Sequence, residues 1–185
     1  MILPIYVYGH PILRKVTRDI PLDYPGLAEL LENMYETMNK AEGVGLAAPQ
    51  IGLEDRILVV DLDSLSKDEP SLKGFKKAFI NAHIIEADGK EETMEEGCLS
   101  IPGIHEKVPR KNRIRIQYLD ENLQPHDEVY EGYKARVIQH EIDHLEGVMY
   151  TDKISGIRKQ MIRSKLNRLM DGRTNCSYKV KTAKK

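Results

Sequence analysis

This sequence of 185 residues contains no tryptophan, two phenylalanines and two cysteines. Cys98 and Cys176 allow one bridge at most, so the chain is not a disulfide scaffold, and nothing else calls for an oxidising compartment. No apolar run approaches the roughly 20 residues that a membrane-spanning helix requires. The start, Met1-Ile2-Leu3-Pro4-Ile5, lacks a basic segment followed by an apolar core, so no secretory signal is expected. Neither sign of charge dominates: 28 basic and 29 acidic side chains leave a formal net charge of −1. That balance excludes a surface built to coat a polyanion, so neither a membrane nor specific DNA is an expected partner. These absences predict a cytoplasmic domain that folds on its own core, and hydrophobic residues at 41% suffice for one. Repeats and low-complexity blocks are also missing, the basic end of the chain excepted.

Periodicity supplies the elements. Over residues 26–41, Leu27, Leu30, Leu31, Met34, Tyr35 and Met38 recur at helical spacing, with Glu29, Glu32, Glu36 and Lys40 on the other face. Ile57-Leu58-Val59-Val60-Asp61 reads as a buried strand, residues 62–77 as a solvated loop, and strands resume at 78–81 and 84–86 before a turn at Asp88-Gly89. Ile114 through Asp120 alternates as a half-buried strand that a hairpin returns near 127–130. A helix is expected over 135–146, stopped by Gly147, and a last one over 155–170 with Ser155 as its cap. Its expected apolar stripe is Ile157, Met161, Leu166, Leu169 and Met170. The strands do not alternate regularly with helices, so the fold class is α+β: mostly antiparallel short-stranded sheets around a central helix, flanked by an N-terminal scaffold helix and a C-terminal helix. One catalytic domain over residues 1–171 is expected, followed by a basic, flexible tail over 172–185 that carries Arg173, Lys179, Lys181, Lys184 and Lys185.

Three stretches carry chemistry. In His140-Glu141-Ile142-Asp143-His144, residues four apart lie on one helix face, so two imidazoles can hold one metal ion while Glu141 reaches a water beside it. The pattern is that of a metallohydrolase whose third ligand remains to be found. Glu96-Gly97-Cys98-Leu99-Ser100 places a cysteine among turn formers, where an inert buried thiol is the ordinary alternative. Gly43-Val44-Gly45-Leu46-Ala47-Ala48-Pro49-Gln50-Ile51-Gly52 is too rich in glycine for a helix and too apolar for a surface loop. Its small residues suit either a packed turn or a loop facing substrate. No Lys-Ser/Thr follows its glycines, so it is not a phosphate loop. A zinc-type endopeptidase shares the two-histidine logic but usually takes its third ligand after the helix. Here no histidine follows His144, although Glu146 and Asp152 do. A non-catalytic metal or ribosome-binding module has no use for Glu141 or Gln50.

Together, in order and spacing, the three stretches resemble the motifs of bacterial peptide deformylase, and the resemblance covers roughly residues 3–170. It implies that Cys98, His140 and His144 bind the metal, that Glu141 is the general acid/base, and that Gln50 and the backbone N–H of Leu99 hold the oxyanion. It implies Gly45 beside the substrate backbone, and an N-formylmethionyl nascent peptide as substrate. The implied cofactor is one divalent ion, physiologically Fe²⁺, with Zn²⁺, Ni²⁺ or Co²⁺ as alternatives. Val44, Ile101 and Val137 are candidates for the methionine pocket by their nearness to the motifs. Arg110 is a candidate for contact with the peptide backbone. His105 stands where many relatives carry a basic residue. Ribosome contact through the basic tail is a further expectation.

Overall fold

A computed structural model describes residues 1–184. Five strands form one sheet in the order β2-β3-β4-β5-β6: β2 Gly45–Ala47, β3 Ile57–Asp61, β4 Lys76–Cys98, β5 Ile101–Leu119 and β6 Pro125–Glu131. Every neighbouring pair is antiparallel. Three helices accompany the sheet: α1 Leu27–Lys40, α2 Gly132–Leu145 and α3 Gly156–Met170. A separate two-stranded parallel ribbon joins β1, Ile5–Tyr6, to β7, Val180–Lys181.

The two-residue period of a strand explains how one sheet serves two cores. Ile57 and Val59 of β3 point to one side and join Leu31, Met34 and Met38 of α1. Leu58 and Val60 point to the other and join Ile138, Ile142 and Leu145 of α2, with Phe79 of β4. Each such fully buried side chain contributes about 1.5–3 kcal/mol relative to exposure. A third cluster unites Ile101, Ile104 and Val108 of β5 with Ile162, Leu166 and Leu169 of α3. The helix that carries the two histidines is thereby gripped on its apolar side, packing against β2, β3, β5 and β6.

Three expectations need correction. The strands are not all short, because β4 and β5 form one hairpin that runs from Lys76 to Leu119. Register shifts at four points, one of them between Asp88 and Glu91, let the long strand bend without ending. Gly89, with φ of 79°, occupies that bulge rather than a turn. On α3 the buried stripe is Ile162, Leu166 and Leu169, while Ile157 and Met161 are 73% and 62% exposed. Ser155 does cap α3, its side chain accepting from the N–H of Arg158 at 3.2 Å. The basic tail does not trail from the domain over its described residues, since Val180 and Lys181 are held in β7. A parallel pairing with β1 satisfies backbone groups that a free end would leave to water.

Candidate metal centre

Two elements converge to build the site. His140 and His144 on α2 present their rings on one face, with centroids 5.1 Å apart. Cys98 ends β4, where Leu99 and Ser100 turn the chain back so that Cys98 faces Ile101 across the hairpin. One potential ligand atom from each of Cys98, His140 and His144 lies within 4.8 Å of the other two. The Cys98 Sγ is 3.3 Å from Nε2 of His144. One sulfur and two imidazole nitrogens suit a borderline-soft divalent cation, and three protein ligands leave a position open for chemistry.

Buried charge around the trio sets its orientation. Glu96 accepts from Nδ1 of His140 at 2.8 Å, from Arg110 at 2.6 and 2.9 Å, and from Arg136 at 2.6 Å. Burial alone would push the Glu96 carboxyl up, but His140 and Arg110 bring it down to about 2. An ionised carboxylate only accepts, so the Nδ1 of His140 carries the proton and Nε2 is the nitrogen left for a cation. Burial opposes charge on His140, yet Cys98 and Glu96 carry its pKa well above the usual value, so a cation that binds at Nε2 releases a proton from it. His144 behaves oppositely: burial first, then its neighbour His140, holds it well below that value and hence neutral, the form that ligates. Burial pushes the Glu141 carboxyl up to about 7. Nδ1 of His144 and Oε2 of Glu141 are buried without a hydrogen-bond partner. Orphaned atoms of this kind are costly in a core and common at a site that receives a ligand.

The glycine-rich stretch is both a packed turn and a cleft wall. Gly45 lies on β2, the sheet's edge strand, and a Cβ there would meet Oε1 of Glu141 at 2.6 Å. Gln50 is almost fully buried in the single helical turn Ala48–Ile51. Its Oε1 accepts from the N–H of Ala47 at 2.9 Å, while Nε2 donates to Ser100 Oγ at 3.1 Å and lies 3.6 Å from the Cys98 sulfur. Leu99 packs beside Gly43, whose added Cβ would meet Leu99 Cδ1 at 2.7 Å.

A cleft of about 440 Å³ runs past Val44, Gly45, Cys98, Leu99 and Glu141. A smaller pocket of about 100 Å³ shares Val44 and Glu141 with it and adds Val137 and His140. Ile101 also borders the larger cleft but is completely buried in the third core cluster. Of the ten residues expected there, eight border the cleft or the pocket, Ile101 from the core side, while Gln50 and His144 border neither and lie against the Cys98 sulfur. Arg110 does not face the cleft for peptide contact, because Glu96 and Asp143 hold its buried guanidinium. His105 packs against Gly97, where a Cβ would meet its ring at 2.7 Å.

Sequence reasoning missed Tyr133, which borders both the cleft and the pocket. It precedes Val137 by four residues and Glu141 by eight, so helical spacing alone marks it. Missed too were Glu96 and Arg136. Arg136 stands four residues before His140, but a glutamate on a distant strand leaves no local signal of its partner.

The chain matches the family model described as "Polypeptide deformylase" over residues 2–160. It is 51% identical to the peptide deformylase of Flavobacterium johnsoniae, over 99% of this chain and 97% of that protein. Identity to the Flavobacterium psychrophilum peptide deformylase is also 51%, over 100% and 99%. Among solved structures, the Thermus thermophilus peptide deformylase superposes with a TM-score of 0.82 at 38% identity, over 94% of this chain and 100% of that one. A Plasmodium falciparum peptide deformylase in complex with an inhibitor gives 0.79 at 34% identity, over 90% and 99%. No described helix is long and apolar enough to cross a membrane. With the family model spanning most of the sequence and close relatives matching end to end, the chain belongs to the polypeptide deformylase family, metal-dependent hydrolases that remove the N-formyl group from nascent peptides.

Proposed function

We propose that Cys98, His140 and His144 together hold one divalent ion, and that Glu141, Gln50 and Leu99 carry out deformylation beside it. The observation that supports this most is the convergence of the three donor atoms within 4.8 Å on a helix that also carries Glu141. When bound, such an ion lowers the pKa of water and polarises a carbonyl. Glu141 takes a proton from the attacking water and returns it to the departing amine, so that formate and a free amino terminus are released. As charge builds on the formyl oxygen, Nε2 of Gln50 and the backbone N–H of Leu99 donate to it, each donor contributing about 3–4 kcal/mol. Ser100 holds one hydrogen of the Gln50 amide, which fixes the amide plane beside Cys98. Gly45 brings the substrate backbone against the edge of the sheet, and Val44, Val137 and Tyr133 enclose the methionine side chain. Ile101 supports the cleft from behind.

Ferrous iron is the ion we assign physiologically, with zinc, nickel or cobalt able to occupy the same donors. The thiolate of Cys98 favours zinc in competition and makes the site sensitive to oxidation. The substrates are N-formylmethionyl chains emerging from synthesis in the bacterial cytoplasm. The exposed lysines Lys179, Lys181 and Lys184 offer a weak electrostatic contact to ribosomal RNA. Anaerobic purification, chelation, and add-back of each ion in turn while formate release from a formylmethionyl dipeptide is followed tests the assignment. Activity restored by the ions, iron foremost, supports it. Full activity after chelation, with no bound metal, overturns it.

A further inference from the structure

The end of the chain is fastened on both sides of a short crossing. On the far side, the N–H of Ile5 donates to Lys179 at 2.9 Å and that of Val7 to Lys181 at 3.0 Å, and Val180 packs on the core cluster that contains Ile101. On the near side, Asp171 pairs with Arg173 at 3.1 Å and with Lys184 at 2.5 Å. Between these anchors, Asn175, Cys176, Ser177 and Tyr178 border the 440 Å³ cleft. The Tyr178 hydroxyl donates to the carbonyl of Leu99 at 2.6 Å. None of the four borders the 100 Å³ pocket of Val44, Val137 and His140. All of them lie beyond residue 160, where the family model ends.

We propose that residues 175–178 form a wall of the substrate cleft that contacts the peptide residues C-terminal to formylmethionine, and that Tyr178 positions this wall against the Leu99 turn. The division of space supports that assignment. The small pocket is sized for one side chain, so the larger cleft receives the next residues of the peptide. Asn175 and Ser177 are exposed there and supply amide and hydroxyl groups, which suit the backbone of an extended peptide more than any one side chain. The proposal rests on the site reading given above, in which the formyl group lies at Cys98, His140 and His144.

The test uses full-length protein, with Tyr178→Phe to remove the pin and Asn175→Trp to narrow the cleft at an exposed position. The kcat and KM are measured on a formylmethionyl dipeptide and on a formylmethionyl tetrapeptide. For Tyr178→Phe, the ratio of kcat/KM between tetrapeptide and dipeptide falls about fivefold, the worth of one neutral hydrogen bond, mainly through KM. For Asn175→Trp the ratio falls at least as far. Ratios within about twofold of the parent in both variants overturn the proposal, because a merely structural segment changes both substrates alike. A parent that releases formate from neither peptide overturns the site reading, and the wall with it.

Discussion

The carboxylate of Glu141 lies so close to the backbone of Gly45 that a Cβ there would sit 2.6 Å from Oε1 and 2.8 Å from Cγ. A hydrogen is therefore the only side chain that leaves Glu141 in place. We predict that Gly45→Ala lowers kcat about 100-fold, because displacing a proton-transfer group by about 1 Å costs that order of rate. Metal content, measured alongside, stays at the parent level, since the atoms nearest to that Cβ belong to Glu141 and not to a proposed ligand. A variant with parent kcat would show that Glu141 tolerates the shift.

Glu96 gathers His140, Arg110 and Arg136 on one buried carboxylate. Glu96→Gln keeps the shape but removes the charge that orients His140 and neutralises the two guanidinium groups. Metal affinity by chelator competition should fall about 10- to 100-fold, the usual cost of losing a partner behind a ligand. The thermal midpoint should fall as well, because buried Arg136 loses its carboxylate partner and Arg110 is left with Asp143 alone. Unchanged affinity would mean that packing alone orients His140.

Both cysteines are free thiols, yet only Cys98 stands among the donors. Cys98→Ser is expected to lose metal on dialysis against a chelator, while Cys176→Ser retains it as the parent does. Equal loss in both, read by elemental analysis, would contradict a ligand set built on Cys98.

The residues proposed for the chemistry are legible in the sequence where local spacing brings them together. Helical geometry places His140, Glu141 and His144 together without any knowledge of the fold, and the resemblance supplied Cys98, Gln50 and Gly45. Long-range pairing was not legible. Glu96 meets Arg136 across forty positions, and Arg110, which reads as a peptide contact, is consumed by Glu96 and Asp143. The hairpin of β4 and β5 reads as several short strands because its bulge at Gly89 has the composition of a turn. On α3 the exposed Ile157 and Met161 mimic a core stripe, and only packing on β5 reveals which side faces inward. The tail reads as a loose end because its basic residues outnumber its apolar ones, yet Val180 and backbone pairing hold it in β7.

His126 offers a pH-dependent measurement remote from the metal centre. Its Nε2 meets Asp120 at 2.7 Å, and this contact, with Glu128 close by, raises its pKa above the ordinary 6.5. A raised pKa in the folded state means that the contact stabilises fully below the unfolded value and is lost as pH rises through the folded one. The thermal midpoint of the parent should exceed that of His126→Ala by more at about pH 5.5 than at about pH 8.5. A difference that is constant, or larger at the higher pH, would contradict the ion pair.

Under the function proposed here, Glu141, beside a metal held by Cys98, His140 and His144, moves the proton in deformylation. Formate release by Glu141→Gln, prepared anaerobically and checked for full metal content, tests it most directly. We predict a loss of at least about 100-fold in kcat with metal retained, the range expected when a general acid/base is removed. Formate release at the parent rate by the metal-loaded variant would contradict it.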